Sequence, residues 1–151
     1  MAAEYLANAQ QSVALNAPIV FTASIPCTRG YVYHEDETGV FILRGIVNNP
    51  CANFATYQVT FNANVALPTG ATVVPIAVAI TTNGEQRSTS KAVVSPVAVN
   101  EFSNVTSTAI IQVPKGCCFN LSVDNVAPNT TDTPATSILV ENANFVINRI
   151  A

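Results

Sequence analysis

The stretch "YQVTFNANVALP", residues 57–68, decides how the rest of the chain is read. Its odd positions Tyr57, Val59, Phe61, Ala63, Val65 and Leu67 are apolar, whereas Gln58, Thr60, Asn62 and Asn64 are polar. Alternation with period two describes a β-strand with one dry and one wet face, and it fits no helix. Beyond the breaker "PTG" at 68–70, the run "VVPIAVAI" at 73–80 places Ile76, Val78 and Ile80 on one face and Ala77 and Ala79 on the other, so both faces are dry. Pro75 cannot donate to a sheet ladder, which sets it at the start of that strand or at an edge. The pair Asn83-Gly84 in "TTNGEQ" takes the positive φ angles of a tight hairpin, with a returning strand expected within Ser88 to Val94.

Three more strands follow. In "NVTSTAIIQVP" the residues Val105, Ser107, Ala109, Ile111 and Val113 share a face, and in "CCFNLSVDN" Cys117, Phe119, Leu121 and Val123 do the same. The intervening Pro114-Lys115-Gly116 is short enough for a hairpin. The segment 127–136, "APNTTDTPAT", is a proline-punctuated loop, and "SILVENANFVINRI" is the last strand. Upstream, "PIVFTASIP" and "GVFILRGI" are strand candidates, separated by a short strand and an exposed turn in "CTRGYVYHEDETG". Ala3 to Gln11 is the one segment that could pass for a helix. Eight to ten short strands with turn signals between them define an all-β class, an antiparallel β-sandwich or jelly roll. The division expected is an N-terminal anchoring segment, 1–17, and a jelly-roll domain, 18–151.

The 151 residues are 49% hydrophobic and only 10% charged, with a net charge of −3. An ordinary domain carries about 25% charged residues. A surface this short of ions suits contact with other protein. The six basic residues are scattered singly at Arg29, Arg44, Arg87, Lys91, Lys115 and Arg149, which gives nucleic acid no basic stripe. No apolar run is long enough to cross a bilayer as a helix. The first twenty residues lack the basic start and apolar core of a secretory signal, so synthesis in the cytoplasm without a signal peptide is expected.

Chemistry-bearing residues are few. Cys27, Cys51, Cys117 and Cys118 could pair as disulfides in three ways or sit as buried thiols, and adjacent cysteines on a strand point to opposite faces, which suits no zinc site. Alternation puts Cys117 inward and Cys118 on the other face. His34, Glu35, Asp36 and Glu37 form the charge cluster, read as an exposed turn between strands because the oxygen-ligand spacing of a calcium loop is absent. No nucleophile elbow, phosphate-cradling loop or paired-histidine metal motif occurs, and His34 is the only histidine. The reading is a non-enzyme with no catalytic residue, no metal and no cofactor. Three Asn-x-Ser/Thr triplets, at Asn104, Asn120 and Asn129, are chance matches in a chain rich in Asn and Thr.

A strand dry on both faces must be covered twice. Ile76, Ala77, Val78, Ala79 and Ile80 are accordingly the candidate interface with another copy. In strand order, from "YQVTFNANVALPTG" through "VPKGCCFNLSVDN" to "NANFVINRI", the chain resembles the tumour-necrosis-factor-like jelly roll, the fold of the complement globular head. That resemblance implies a homotrimer with the C-terminal strand at its core, adding Phe145 and Ile147 to the candidate interface. The segments "RGYVYHE", "LRGI", "VTF", "LPTG" and "VPKGCC" also make the chain similar to small proteins encoded beside capsid genes in bacteriophages of gut Firmicutes. That likeness implies a virion structural protein on the capsid surface, a decoration or head-fibre knob. Its partners would be its own copies, the major capsid protein or another virion protein, and host-surface or mucus glycans. A cell- or spore-surface adhesion knob of the same fold is the alternative.

Overall fold

The computed structural model describes residues 2–25, 30–35, 37–46, 50–129 and 133–150. Its elements are β1 (Ala2–Ala7), β2 (Gln11–Ala14), β3 (Ala23–Ile25), β4 (Val32–His34), β5 (Phe41–Arg44), β6 (Phe54–Ala66), β7 (Ile76–Thr82), β8 (Glu85–Gln86), a single 3-10 turn (Ser88–Ser90), β9 (Ala92–Val94), β10 (Ser103–Pro114), β11 (Cys118–Val126) and β12 (Ser137–Arg149). They form two six-stranded sheets. Sheet A runs β10-β6-β12-β1-β3, with β2 also on β12; sheet B runs β4-β5-β11-β7-β8, with β9 also on β7. Every named pairing is antiparallel, and the order makes the jelly-roll sandwich.

The alternation in β6 is realised residue by residue: Tyr57, Val59, Phe61, Ala63 and Val65 are buried between the sheets. From the facing sheet come Ile76, Val78 and Ile80 of β7 and Leu121 and Val123 of β11. At the centre Phe41 meets Tyr5, Phe21 and Phe145 edge to face, with ring centroids 4.5, 5.5 and 5.3 Å apart. Such offset contacts add to the burial of four large rings.

Residues 2–17 do not form an appendage to the sandwich. Ala2–Ala7 pairs with β12 from Asn148 to Ala143, and Gln11–Ala14 continues along β12 to Ser137. Ala3, Tyr5, Ala7 and Val13 enter the core. Both the anchoring segment and the helix option over Ala3–Gln11 give way to two sheet strands. The jog between them meets a bulge in β12, where the register shifts between Glu141 and Asn144 and Asn142 adopts φ 52°.

Two connections also depart from expectation. The Asn83-Gly84 hairpin forms as read, with φ 52° and 82°, but its return is broken into β8 and β9. Between them Ser90 turns inward, and its hydroxyl accepts from the Ile80 amide at 3.0 Å in place of a backbone partner. The Pro114–Cys117 turn is closed by Cys117 N to Pro114 O at 3.1 Å, yet it joins no hairpin. Instead β10 pairs with β6 in sheet A, while β11 pairs with β5 and β7 in sheet B. The chain crosses between sheets there, and Gly45 lies so close that a Cβ would collide with the Pro114 carbonyl.

Candidate interaction surfaces

His34 is half-buried. Its ring stacks on Phe41 at 4.4 Å and meets the Tyr5 edge at 4.9 Å, and Nε2 lies 2.9 Å from the Thr38 carbonyl oxygen. It plugs the gap between β1 and sheet B. Glu35 and Glu37 are exposed, in a turn closed on itself by the Thr38 amide and hydroxyl on the Glu35 carbonyl; Asp36 lies outside the described residues. Among the described residues no three His, Cys, Asp or Glu side chains gather as a metal site would need. The charged turn is thus exposed at Glu35 and Glu37, but only partly at its histidine.

Cys51, Cys117 and Cys118 are all exposed; Cys27 lies outside the described residues. The inward placement of Cys117 fails because the strand begins only at Cys118, so the alternation of β11 does not extend back to it. Cys117 belongs to the turn, where its sulfur lies 3.6 Å from the Cys118 carbonyl oxygen. Neither member of the pair is a buried packing thiol.

Ile76, Ala77, Val78, Ala79, Ile80, Phe145 and Ile147 are each at most 1% exposed within a single chain. They therefore offer nothing to a second copy. The expected need for outside cover arose because both faces of β7 are apolar. One face is the core, and on the other Ala77 and Ala79 close against Val126 of the neighbouring strand.

The surface that does remain open is the outer face of sheet A. The register sets its rows: Thr108, Thr60, Val146, Glu4 and Ile25 lie across the sheet, next to Thr106, Asn62, Asn144, Leu6 and Ala23. Toward one end come Ile110, Gln58, Asn148 and Ala2, and beyond them Phe54 and Ile150, whose amide bonds the Thr56 carbonyl. Ile25, Phe54, Ile110 and Ile150 are between 47% and 60% exposed. No lysine or arginine stands in these rows; Glu4 is held by the Asn144 amide at 2.7 Å. By contrast Arg44 and Glu85 are exposed on strands of sheet B.

Several polar groups of this face satisfy one another. The Asn104 amide donates to Asn62 Oδ1 at 2.7 Å and to Asn64 Oδ1 at 3.2 Å. The Thr106 hydroxyl donates to Asn62 Oδ1 at 3.0 Å, and the Thr60 and Thr108 hydroxyls are 3.2 Å apart. Covering groups that are already paired strands few donors, so the desolvation cost of burying this face is low. That property was legible in the sequence, whose many Asn, Thr and Ser describe uncharged polar strand faces that a neighbour can cover at low desolvation cost. Its signal was present: every polar residue between Tyr57 and Leu67 is uncharged.

No protein-family model matches the sequence, and no curated protein matches it significantly. Solved structures match the fold along the whole chain. The globular domain of zebrafish complement 1qA protein superposes with a TM-score of 0.62 at 15% identity, covering 99% of this chain and 97% of that one. Eiger TNF from S. frugiperda gives 0.68 at 12% identity over 100% and 92%. Murine APRIL at pH 5.0 gives 0.52 at 9% identity over 96% and 97%. The fold is that of the tumour-necrosis-factor and complement globular-head jelly roll, as the strand order implied.

Proposed function

We propose that this chain is a non-enzymatic surface module that assembles with its own copies, as a homotrimer, through the outer face of sheet A. The observation that carries this is the internally hydrogen-bonded face, poor in charge and without lysine or arginine in its rows, with an apolar end at Phe54, Ile110 and Ile150. A monomer surface seldom leaves such a patch to solvent without a use for it. Cyclic closure buries equivalent patches on every copy and leaves the rest of the surface outward. The setting we propose is a bacteriophage particle, with the module as capsid decoration or head-fibre knob beside the capsid protein. Support for that setting is the sequence resemblance in "RGYVYHE", "LRGI" and "VPKGCC".

Light scattering on the purified chain tests the assembly. The expected mass is three times the 15.9 kDa chain, and Ile110→Lys, at a site exposed in the single chain, is expected to bring it down to one. A single-chain mass for the unaltered protein at high concentration, or an unchanged mass for the variant, rejects this interface. Labelling of intact particles with an antibody to the chain tests the setting, and unlabelled particles reject it.

A further inference from the structure

The basic residues stand singly along the sequence, and the fold gathers Arg44, Lys115 and Arg149 at one end of the sandwich. Arg44 closes β5, where Phe41 and Leu43 point inward, so its side chain stands with Ile42 on the outer face of sheet B, beside its register partner Cys118. The turn just before Cys118 carries Lys115. It is tied to the segment after β5 by Gly45 N to Cys117 O at 2.9 Å and Gly116 N to Ile46 O at 3.1 Å. Arg149 ends β12, and its guanidinium lies 3.9 Å from the Tyr31 ring centroid, while the Tyr31 carbonyl accepts from the Arg44 amide at 3.0 Å. Arg44 and Lys115 are exposed and form no ion pair among the described residues. Neither Asp nor Glu occurs in the segments that build this end, residues 30–33, 42–46, 50–57, 114–121 and 147–150. In a chain of net charge −3 this end is a positive pole, and backbone hydrogen bonds place its charges before any partner arrives.

The residue types select the partner. Tyr33, 53% exposed, pairs with Ile42 in the row next to Arg44, so an aromatic ring stands near the cations. Arginine and tyrosine are the residues that carry binding energy at protein–protein contacts. A nucleic-acid backbone calls for a longer stripe of cations, and a small ligand calls for a concave site where this one is a strand face and a turn tip. We propose that Arg44, Lys115 and Tyr33, with Arg149 on the Tyr31 ring, form a docking surface for an acidic protein surface. The Arg44 guanidinium offers a fork of N–H donors to one carboxylate, Lys115 offers a point charge to a second, and Tyr33 supplies apolar area beside them. Complementary charge steers the approach and fixes the register of the contact. This rests on the surface-module reading above and names the side by which the module sits on its neighbour. Because the patch lies off the outer face of sheet A, assembly leaves it open on every copy, and weak contacts act together.

The test is nitrogen-15 NMR of the full chain titrated with a short acidic peptide that alternates glutamate with leucine and tyrosine, and with its glutamine counterpart, up to about 1 mM, the range of weak single contacts. Saturable shifts centred on Tyr33, Arg44 and Lys115 to Cys118 are expected with the acidic peptide and not with the glutamine one. Raising sodium chloride from about 50 mM to about 500 mM is expected to weaken the binding at least about fivefold. Reversing both exposed charges, Arg44→Glu with Lys115→Glu, is expected to weaken it at least about tenfold, whereas Lys115→Arg is expected to hold it within about twofold. Four outcomes overturn the proposal: no saturable shift with the acidic peptide, shifts centred elsewhere, undiminished binding of the glutamine peptide or by the charge-reversed chain, or binding of oligothymidylate or phosphatidylglycerol vesicles as tight as that of the peptide. Running the series also on Ile110→Lys separates the two readings, since a single chain keeps its peptide shifts even where the trimer fails.

Discussion

At the scale of single residues, polar positions inside the sandwich hold connections together and the Asp124 carboxyl reports on burial. Tyr57 belongs to the dry face of β6, and its hydroxyl reaches out of the core to lie 2.5 Å from the Arg44 carbonyl and 3.2 Å from that of Tyr31. Above it the Arg149 guanidinium covers the Tyr31 ring at 3.9 Å, so "RGYVYHE", "LRGI" and the C-terminal strand meet at one end of the molecule. Asp124 differs in kind. Burial raises its carboxyl above the ordinary value of 3.8, and the Ser122 and Thr81 hydroxyls offset only part of that. A raised folded-state value means that the native chain binds this proton more readily than the unfolded chain. Stability from this group is therefore greatest in acid and falls as pH rises from about the unfolded value of 3.9 through the folded one. Asp124→Asn removes the ionisation and keeps an acceptor for Ser122. Across that window its stability, followed by urea unfolding, is expected to fall less with rising pH than that of the unaltered chain, and at neutral pH it is expected to be no lower. A steeper fall for the variant would contradict the burial argument.

At the scale of elements, the N-terminal strands show how a weak pattern can hide a structural part. In β1 the inward residues are Ala3, Tyr5 and Ala7, and the outward ones include Leu6, so apolar residues stand on both sides and the contrast between faces is low. What recruits the segment is the uncovered edge of β12, a thirteen-residue strand whose backbone groups on that side need partners. Gln11 strengthens the join by accepting from the Val20 amide at 2.9 Å and donating to its carbonyl at 2.8 Å. Deleting residues 2–14 is expected to cost the fold, not merely an attachment. The truncated chain should lose cooperative thermal unfolding or melt at least about 10 °C lower, since some 2 kcal/mol already shifts a domain of this size by several degrees. An unchanged melting curve would restore the view of these residues as an appendage. The crossing at Pro114–Cys117 makes a related point, for a turn short enough for a hairpin here carries the chain from one sheet to the other.

At the scale of the whole molecule, charge is distributed unevenly between the two sides. The outer face of sheet A is neutral apart from Glu4 and Glu141, whereas Arg44, Glu85 and the Glu35 and Glu37 turn stand elsewhere. An interface without opposed charges owes little to ion pairs, and screening then has little to remove. Sedimentation of the assembled chain is expected to give the same mass in dilute buffer and at about 1 M sodium chloride, where the Debye length is near 3 Å. Dissociation by salt would point instead to an interface built on the charged side.

The sequence by itself determined the fold class, because alternation in β6, β10, β11 and β12 names which side of each strand is dry, and a domain of this length has one place to put those sides. It also carried the Asn83-Gly84 hairpin, since only certain residues take those φ angles without strain. What only the tertiary structure decided is which apolar face is covered from within. Ala77 and Ala79 read as free for a neighbour, yet Val126 of the adjoining strand closes over them, and no local pattern says which strand will lie beside which. The same holds for the cationic end, whose charges come from residues 44, 115 and 149. Periodicity is a property of neighbours along the chain, whereas a surface or a site is a property of neighbours in space.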